Sequence, residues 1–148
     1  MVKQFLLMAT LLIGGLYAMA QDPVKWQFSA KKTGDNMYEV RLTATVDNGW
    51  HIYSQSTPDG GPAPTVISFA KNPLLTITGK PKEMGKLEQK HEEVFGVDVK
   101  YYNNKVDFVQ LVKVKGAAKT NISGTVSFMA CTDEQCLPPK DIPFSIKL

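Results

Sequence analysis

The sequence predicts an all-β protein, an immunoglobulin-like antiparallel β-sandwich, and three observations carry that expectation. Apolar and polar residues alternate with period two through most of the chain, as half-buried strands require. Turn-forming clusters rich in Gly, Pro, Asn and Asp break the alternation at short intervals. The stretch with the most helix-friendly residues, "PKEMGKLEQKHEEVFG" over 81–96, carries two glycines and sparse apolar positions, so it reads as a loop.

The chain opens with Lys3 and then the apolar run "FLLMATLLIGGLYAMA", with no acid before Asp22 and a small-x-small ending at Ala18-Met19-Ala20. This is the pattern of a secretory signal peptide over 1–20. The run is short for a membrane span and is interrupted by Gly14-Gly15. The mature part, 21–148, is one domain's worth of chain.

The first strand reads from "VKWQFSAKK", with Val24, Trp26, Phe28 and Ala30 on one face and Lys25, Gln27, Ser29 and Lys31 on the other. "KTGDN" turns the chain into "MYEVRLTATV", where Tyr38, Val40, Leu42, Ala44 and Val46 point inward and Glu39, Arg41, Thr43 and Thr45 face water. Further strands are expected at "WHIYS", "TVISFA", "LLTIT", "VKYY", "KVDFVQLVKV", "ISGTVSFMAC" and "IPFSIKL". The turn signals between them are "DNG", "PDGGPAP", "KNP", "NN" and "KGAA".

The formal charge of +3 is small and evenly spread, which argues against nucleic acid or anionic lipid as a partner. Gly-x-Ser-x-Gly, His-Glu-x-x-His and glycine-rich phosphate-loop patterns are absent, which disfavours hydrolase and nucleotide chemistry. No cofactor or metal is called for. A Cu(I) site of Cys131, Cys136, Met129 and His91 would have the soft ligands that ion prefers, but the spacing matches no ligand motif.

Both cysteines, Cys131 and Cys136, lie in "FMACTDEQCLPP". In an exported protein such a pair tends to form a disulfide. Four intervening residues suit a hairpin-like turn with the sulfurs facing each other across it. Pro138 and Pro139 end any ladder there, so the next strand is expected to resume near Ile142. A ring this small stabilises the fold by only about 2 kcal/mol, and a domain of this size has core enough without it. Chemistry alone leaves a structural bridge and a redox pair both open. Asp133 and Glu134 lie inside the ring, and nearby negative charge disfavours a thiolate.

With "GWHIYSQ" and "GGPAPT", then "HEEVFG" and "VKYY", then "FMACTDEQCLPP", the chain resembles the N-terminal periplasmic domain of the DsbD-type thiol:disulfide interchange proteins, from about Trp26 to Leu148. The resemblance implies an immunoglobulin-like fold, a periplasmic location, and electron passage by thiol–disulfide exchange. It implies a thioredoxin-like partner and a membrane electron transporter. Carried onto this chain, Cys136 is the exchanging cysteine and Cys131 the resolving one. "HEEVFG" matches a loop that caps the disulfide until a partner docks, with Phe95 as the cap and Glu93 or Glu92 as its acid. His91 reads as a loop residue. No span follows the leader, so transport across the membrane requires a separate partner. The alternative is a non-catalytic protein-binding sandwich clipped by a structural disulfide.

Overall fold

Alternation over the first two runs closes into a long hairpin. In the computed structural model, which describes residues 22–148, β1 (Val24–Gly34) and β2 (Met37–Val46) pair antiparallel, from Val24 opposite Val46 to Gly34 opposite Met37. The signal peptide expected over 1–20 lies outside the described residues. Asn36 takes the left-handed turn at φ 59°, a conformation asparagine tolerates better than most residues.

The remaining strands are β3 (His51–Tyr53), β4 (Val66–Phe69), β5 (Leu75–Ile77), β6 (Lys82–Glu92), β7 (Val97–Val114), β8 (Asn121–Phe128), β9 (Ala130–Cys131) and β10 (Lys140–Lys147). A seven-stranded sheet runs β1-β2-β7-β3-β9, with β5 and β6 also on β7. A three-stranded sheet runs β10-β8-β4. The two-sheet sandwich is therefore as expected, with unequal layers.

β7 organises the large sheet. One edge pairs with β2 along 105–113 and with β3 at Tyr101 and Tyr102. The other edge pairs with β6 and β5. "NN" was expected to turn the chain, yet β7 runs through it. Asn104 has φ 60°, and the β6–β7 register shifts between Gly85 and Leu87. The asparagines thus mark a bulge, where the strand kinks and changes partner.

The core lies between the sheets. Val40, Leu42, Phe108, Ile122 and Val126 are fully buried. Aromatic rings join the layers: Trp26 packs on Phe128 at 5.4 Å and Phe28 on Phe144 at 5.3 Å between centroids. Gly124 sits where a Cβ would collide with the Ser68 carbonyl oxygen and the Phe144 ring, so β4, β8 and β10 approach there only because that side chain is missing.

Three further expectations need correction. Residues 82–92 form a strand, not a loop. Their half-buried positions are Glu83, Glu88, Lys90 and Glu92, so the period-two pattern exists but is written in charges, as suits an edge strand. The run "ISGTVSFMAC" divides at Met129, where the chain leaves β8 in the small sheet and enters β9 in the large one. β10 begins at Lys140, two residues before the expected start, with Lys140 opposite Phe128. Its Pro143 is tolerated because β10 is an edge strand.

Candidate functional site

Strand period places the site. Ile52, Tyr102 and Ala130 belong to the central core. Their neighbours His51, Tyr53, Tyr101 and Cys131 therefore project from the opposite, outer face of the large sheet. On that face Tyr53, Val99 and Cys131 form a second buried cluster, with Val97, Tyr101 and Met129 at its margin.

The cysteine turn forms as its spacing implied. Cys131 and Cys136 are joined in a disulfide with Cα atoms 4.0 Å apart. They pair as a one-residue bridge flanked by Thr132 N–H to Gln135 O at 2.7 Å and Leu137 N–H to Ala130 O at 2.9 Å. The Thr132 hydroxyl accepts from the Glu134 and Gln135 N–H groups, which shapes the turn. The two cysteines differ sharply in access. Cys131 is 1 % exposed, whereas Cys136 is an exposed residue.

His51 stands directly opposite Cys131 across the β3–β9 ladder and is buried. Its Nε2 lies 3.2 Å from the Tyr53 hydroxyl. Its ring meets Tyr53 edge-on at 5.2 Å and Tyr101 at 4.8 Å. Burial, and then the Lys90 charge, push the His51 imidazole below its ordinary value, against an upward pull from Asp133 and Glu92. Burial, with Glu92 adding, pushes the Tyr53 phenol up.

The β6–β7 hairpin reaches this cluster from the side. Lys90 Nζ lies 2.8 Å from Glu92 Oε1 and 3.3 Å from Asp133 Oδ1, and 5.4 Å from the Tyr101 ring centre. Burial works against the Lys90 charge, but its hydrogen bonds to Glu92 and Asp133 prevail and raise its pKa. The hairpin is thereby tied to the cysteine turn. Its own turn is set by Phe95 N–H and Gly96 N–H donating to Glu92 O.

Of the two candidate acids, Glu92 is half-buried and drawn to Lys90, while Glu93 is exposed. Phe95 sits on the same turn and is 44 % exposed. His91 is in β6 rather than a loop, exposed, with Nδ1 2.7 Å from Asp98 Oδ1. The Pro-Gly segment packs beside the turn end of the hairpin: a Cβ on Gly61 would lie 3.1 Å from Val97 Cγ2. At its start, Glu83 accepts from Ser54 Oγ, Gln55 N–H and Tyr102 Oη, each at 2.7 Å.

Sequence reasoning missed His51, Tyr53, Tyr101 and Lys90. The usable signal was in "WHIYS", where a histidine and a tyrosine flank an inward isoleucine. Lys90 brings positive charge to a turn that holds only acids in sequence.

A model of the family described as thiol:disulfide interchange protein DsbD, N-terminal, matches residues 18–146. The chain belongs to this family. Solved DsbD-family folds superpose on it. The reduced DsbD N-terminal domain of Neisseria meningitidis has 21 % identity and a TM-score of 0.51, covering 81 % of this chain and 83 % of that one. The N-terminal periplasmic domain of ScsB from Proteus mirabilis has 16 % identity and a TM-score of 0.55, covering 84 % of this chain. This chain spans 46 % of that ScsB chain. A complex between the DsbD N-terminal and PilB N-terminal domains of Neisseria meningitidis matches at 18 % identity and a TM-score of 0.52, covering 82 % and 80 %. No curated protein matches the chain significantly.

Proposed function

We propose that this chain is a periplasmic thiol–disulfide exchange domain, passing reducing equivalents from a donor to oxidised proteins through Cys131 and Cys136. The observation that carries the reading is the asymmetry of the pair: an exposed Cys136 bonded to a Cys131 that is 1 % exposed. An incoming thiolate meets Cys136, and Cys131 is the sulfur left inside to resolve the mixed disulfide. Membership of the family supports the same chemistry.

The leader over 1–20 directs export and is removed. A thioredoxin-like protein is the exchange partner; a DsbD N-terminal domain of this fold is solved in complex with another protein, a PilB N-terminal domain. A membrane electron transporter supplies electrons. Phe95 and Glu92, on the turn tied down by Lys90, act as the cap that must move before a partner's sulfur can align.

The test is to equilibrate the protein with a thioredoxin-like dithiol and read both the potential and the exchange rate. Rapid exchange at a potential above about −300 mV is expected. A lower potential with no exchange would instead support a sandwich module held by an inert clip.

A further inference from the structure

We infer that His51 is the proton acceptor that prepares Cys131 to resolve the mixed disulfide. The inference rests on the exchange reading above and adds a residue to it.

A buried resolving cysteine lacks a ready thiolate. Once Cys136 is bonded to a partner's sulfur, Cys131 is a thiol, and only its thiolate attacks. Burial disfavours the thiolate, and Cys131 is 1 % exposed. A base beside it is therefore worth having.

Geometry supplies one. The hydrogen bonds on either side of the Cys131–Cys136 bridge come from Leu137 and Thr132, so the Cys131 main chain faces β3 and pairs with His51. Directly opposed residues in such a pair lie about 5.5 Å apart at Cα with their side chains on one face. Nε2 lies 3.2 Å from the Tyr53 hydroxyl; in the tautomer that donates Nε2–H to that oxygen, Nδ1 is left with the lone pair that takes a proton. His51 also lines a polar pocket of about 320 Å³ with Asn48, Trp50, Tyr101, Asn103 and Asp133, through which a proton can pass to solvent.

The charged and titratable groups facing His51 are Tyr53 on β3, Tyr101 on β7, Lys90 and Glu92 on β6, and Asp133 in the cysteine turn. Their net effect, led by burial, keeps the imidazole neutral at pH 7, the form with a free lone pair.

The step balances. The Cys131 proton moves to His51. The Cys131 thiolate attacks Cys136 Sγ, forming the Cys131–Cys136 bond. The bond from Cys136 to the partner's sulfur breaks, and its electron pair leaves on that sulfur. The partner thiolate is then protonated from His51 or from solvent. Two electrons pass to the partner.

Reduced protein mixed with 5,5′-dithiobis(2-nitrobenzoate) separates the steps. The first release of coloured thiolate reports attack by Cys136 and scales with reagent concentration. The second reports resolution by Cys131 and does not. His51→Gln and His51→Phe are each compared with the unaltered protein, with near-ultraviolet circular dichroism as the check of fold. We expect the second phase to slow at least about tenfold at pH 7, with the first changed less than about twofold. In the unaltered protein the second phase should level off as pH rises through the imidazole range. A second phase that keeps rising about tenfold per pH unit to pH 9, or one unmoved by either folded variant, would overturn the role of His51 alone. Absence of any concentration-independent second phase in the unaltered protein would overturn the exchange reading as well.

Discussion

Two cations on the outer face of the large sheet each sit between two carboxylates, and they have different consequences. Arg41 bonds Glu39 and Asp107, both at 2.7 Å. Lys90 bonds Glu92 at 2.8 Å and Asp133 at 3.3 Å. The Arg41 group lies within a β2–β7 ladder of nine paired positions, and Asp107 also accepts from Thr43 Oγ1 at 2.6 Å. Backbone pairing already fixes those side chains, so the ion pairs reinforce a rigid scaffold. The Lys90 group instead joins two turns that belong to different hairpins, and Asp133 is 92 % exposed at its side chain. The planar fork of arginine suits a fixed double contact, whereas lysine offers one mobile point charge. A similar pattern of charges thus stiffens one region and latches the other.

The comparison breaks most visibly at the sulfurs. Cys136→Ser should abolish exchange with a thioredoxin-like protein while lowering unfolding free energy by only about 2 kcal/mol, read by urea denaturation. Asp107→Asn should do the reverse. It removes charged hydrogen bonds from Arg41 and Thr43, costing about 1–2 kcal/mol, with exchange rates unchanged.

Acid sharpens the same contrast. Burial would raise the Asp107 pKa, but its bonds to Thr43 and Arg41 prevail and hold the carboxyl below its ordinary value. A depressed folded value means the stabilisation is complete above the ordinary carboxylate range and is lost as pH falls through the folded value. Denaturation midpoints followed below about pH 4 should fall more steeply in the unaltered protein than in Asp107→Asn.

The smallest effect concerns the latch. Lys90→Met should speed reduction of the disulfide by a small thiol a few-fold, with a stability change of less than about 1 kcal/mol. Raising salt should speed the unaltered protein in the same direction, by up to about twofold, and leave the variant unmoved. Equal rates with and without Lys90 would remove the latch from the account.

What was legible in the sequence follows one physical line. Where a strand buries apolar side chains on one face, as in β1 and β2, period two named the strand and sorted its two faces. β6 was missed because its half-buried positions after the bulge are Glu88, Lys90 and Glu92, and an apolar pattern cannot report a face of charges. The sheet change at Met129 was missed because Phe128-Met129-Ala130-Cys131 is an unbroken apolar run with no period. The cysteine turn was readable from its local spacing. The tie from Lys90 to Asp133 spans 43 residues, and the opposition of His51 and Cys131 depends on β9 joining β3. Neither leaves a local trace.

The proposed exchange depends on a disulfide that opens at one sulfur only, and trapping tests this most directly. Cys131→Ser and Cys136→Ser are each mixed, reduced, with an oxidised thioredoxin-like protein, and disulfide-linked species are resolved by non-reducing electrophoresis. Cys131→Ser should accumulate the linked complex, because exposed Cys136 attacks and nothing resolves it, while Cys136→Ser should yield almost none. Equal trapping by both variants, or trapping by Cys136→Ser alone, would contradict it.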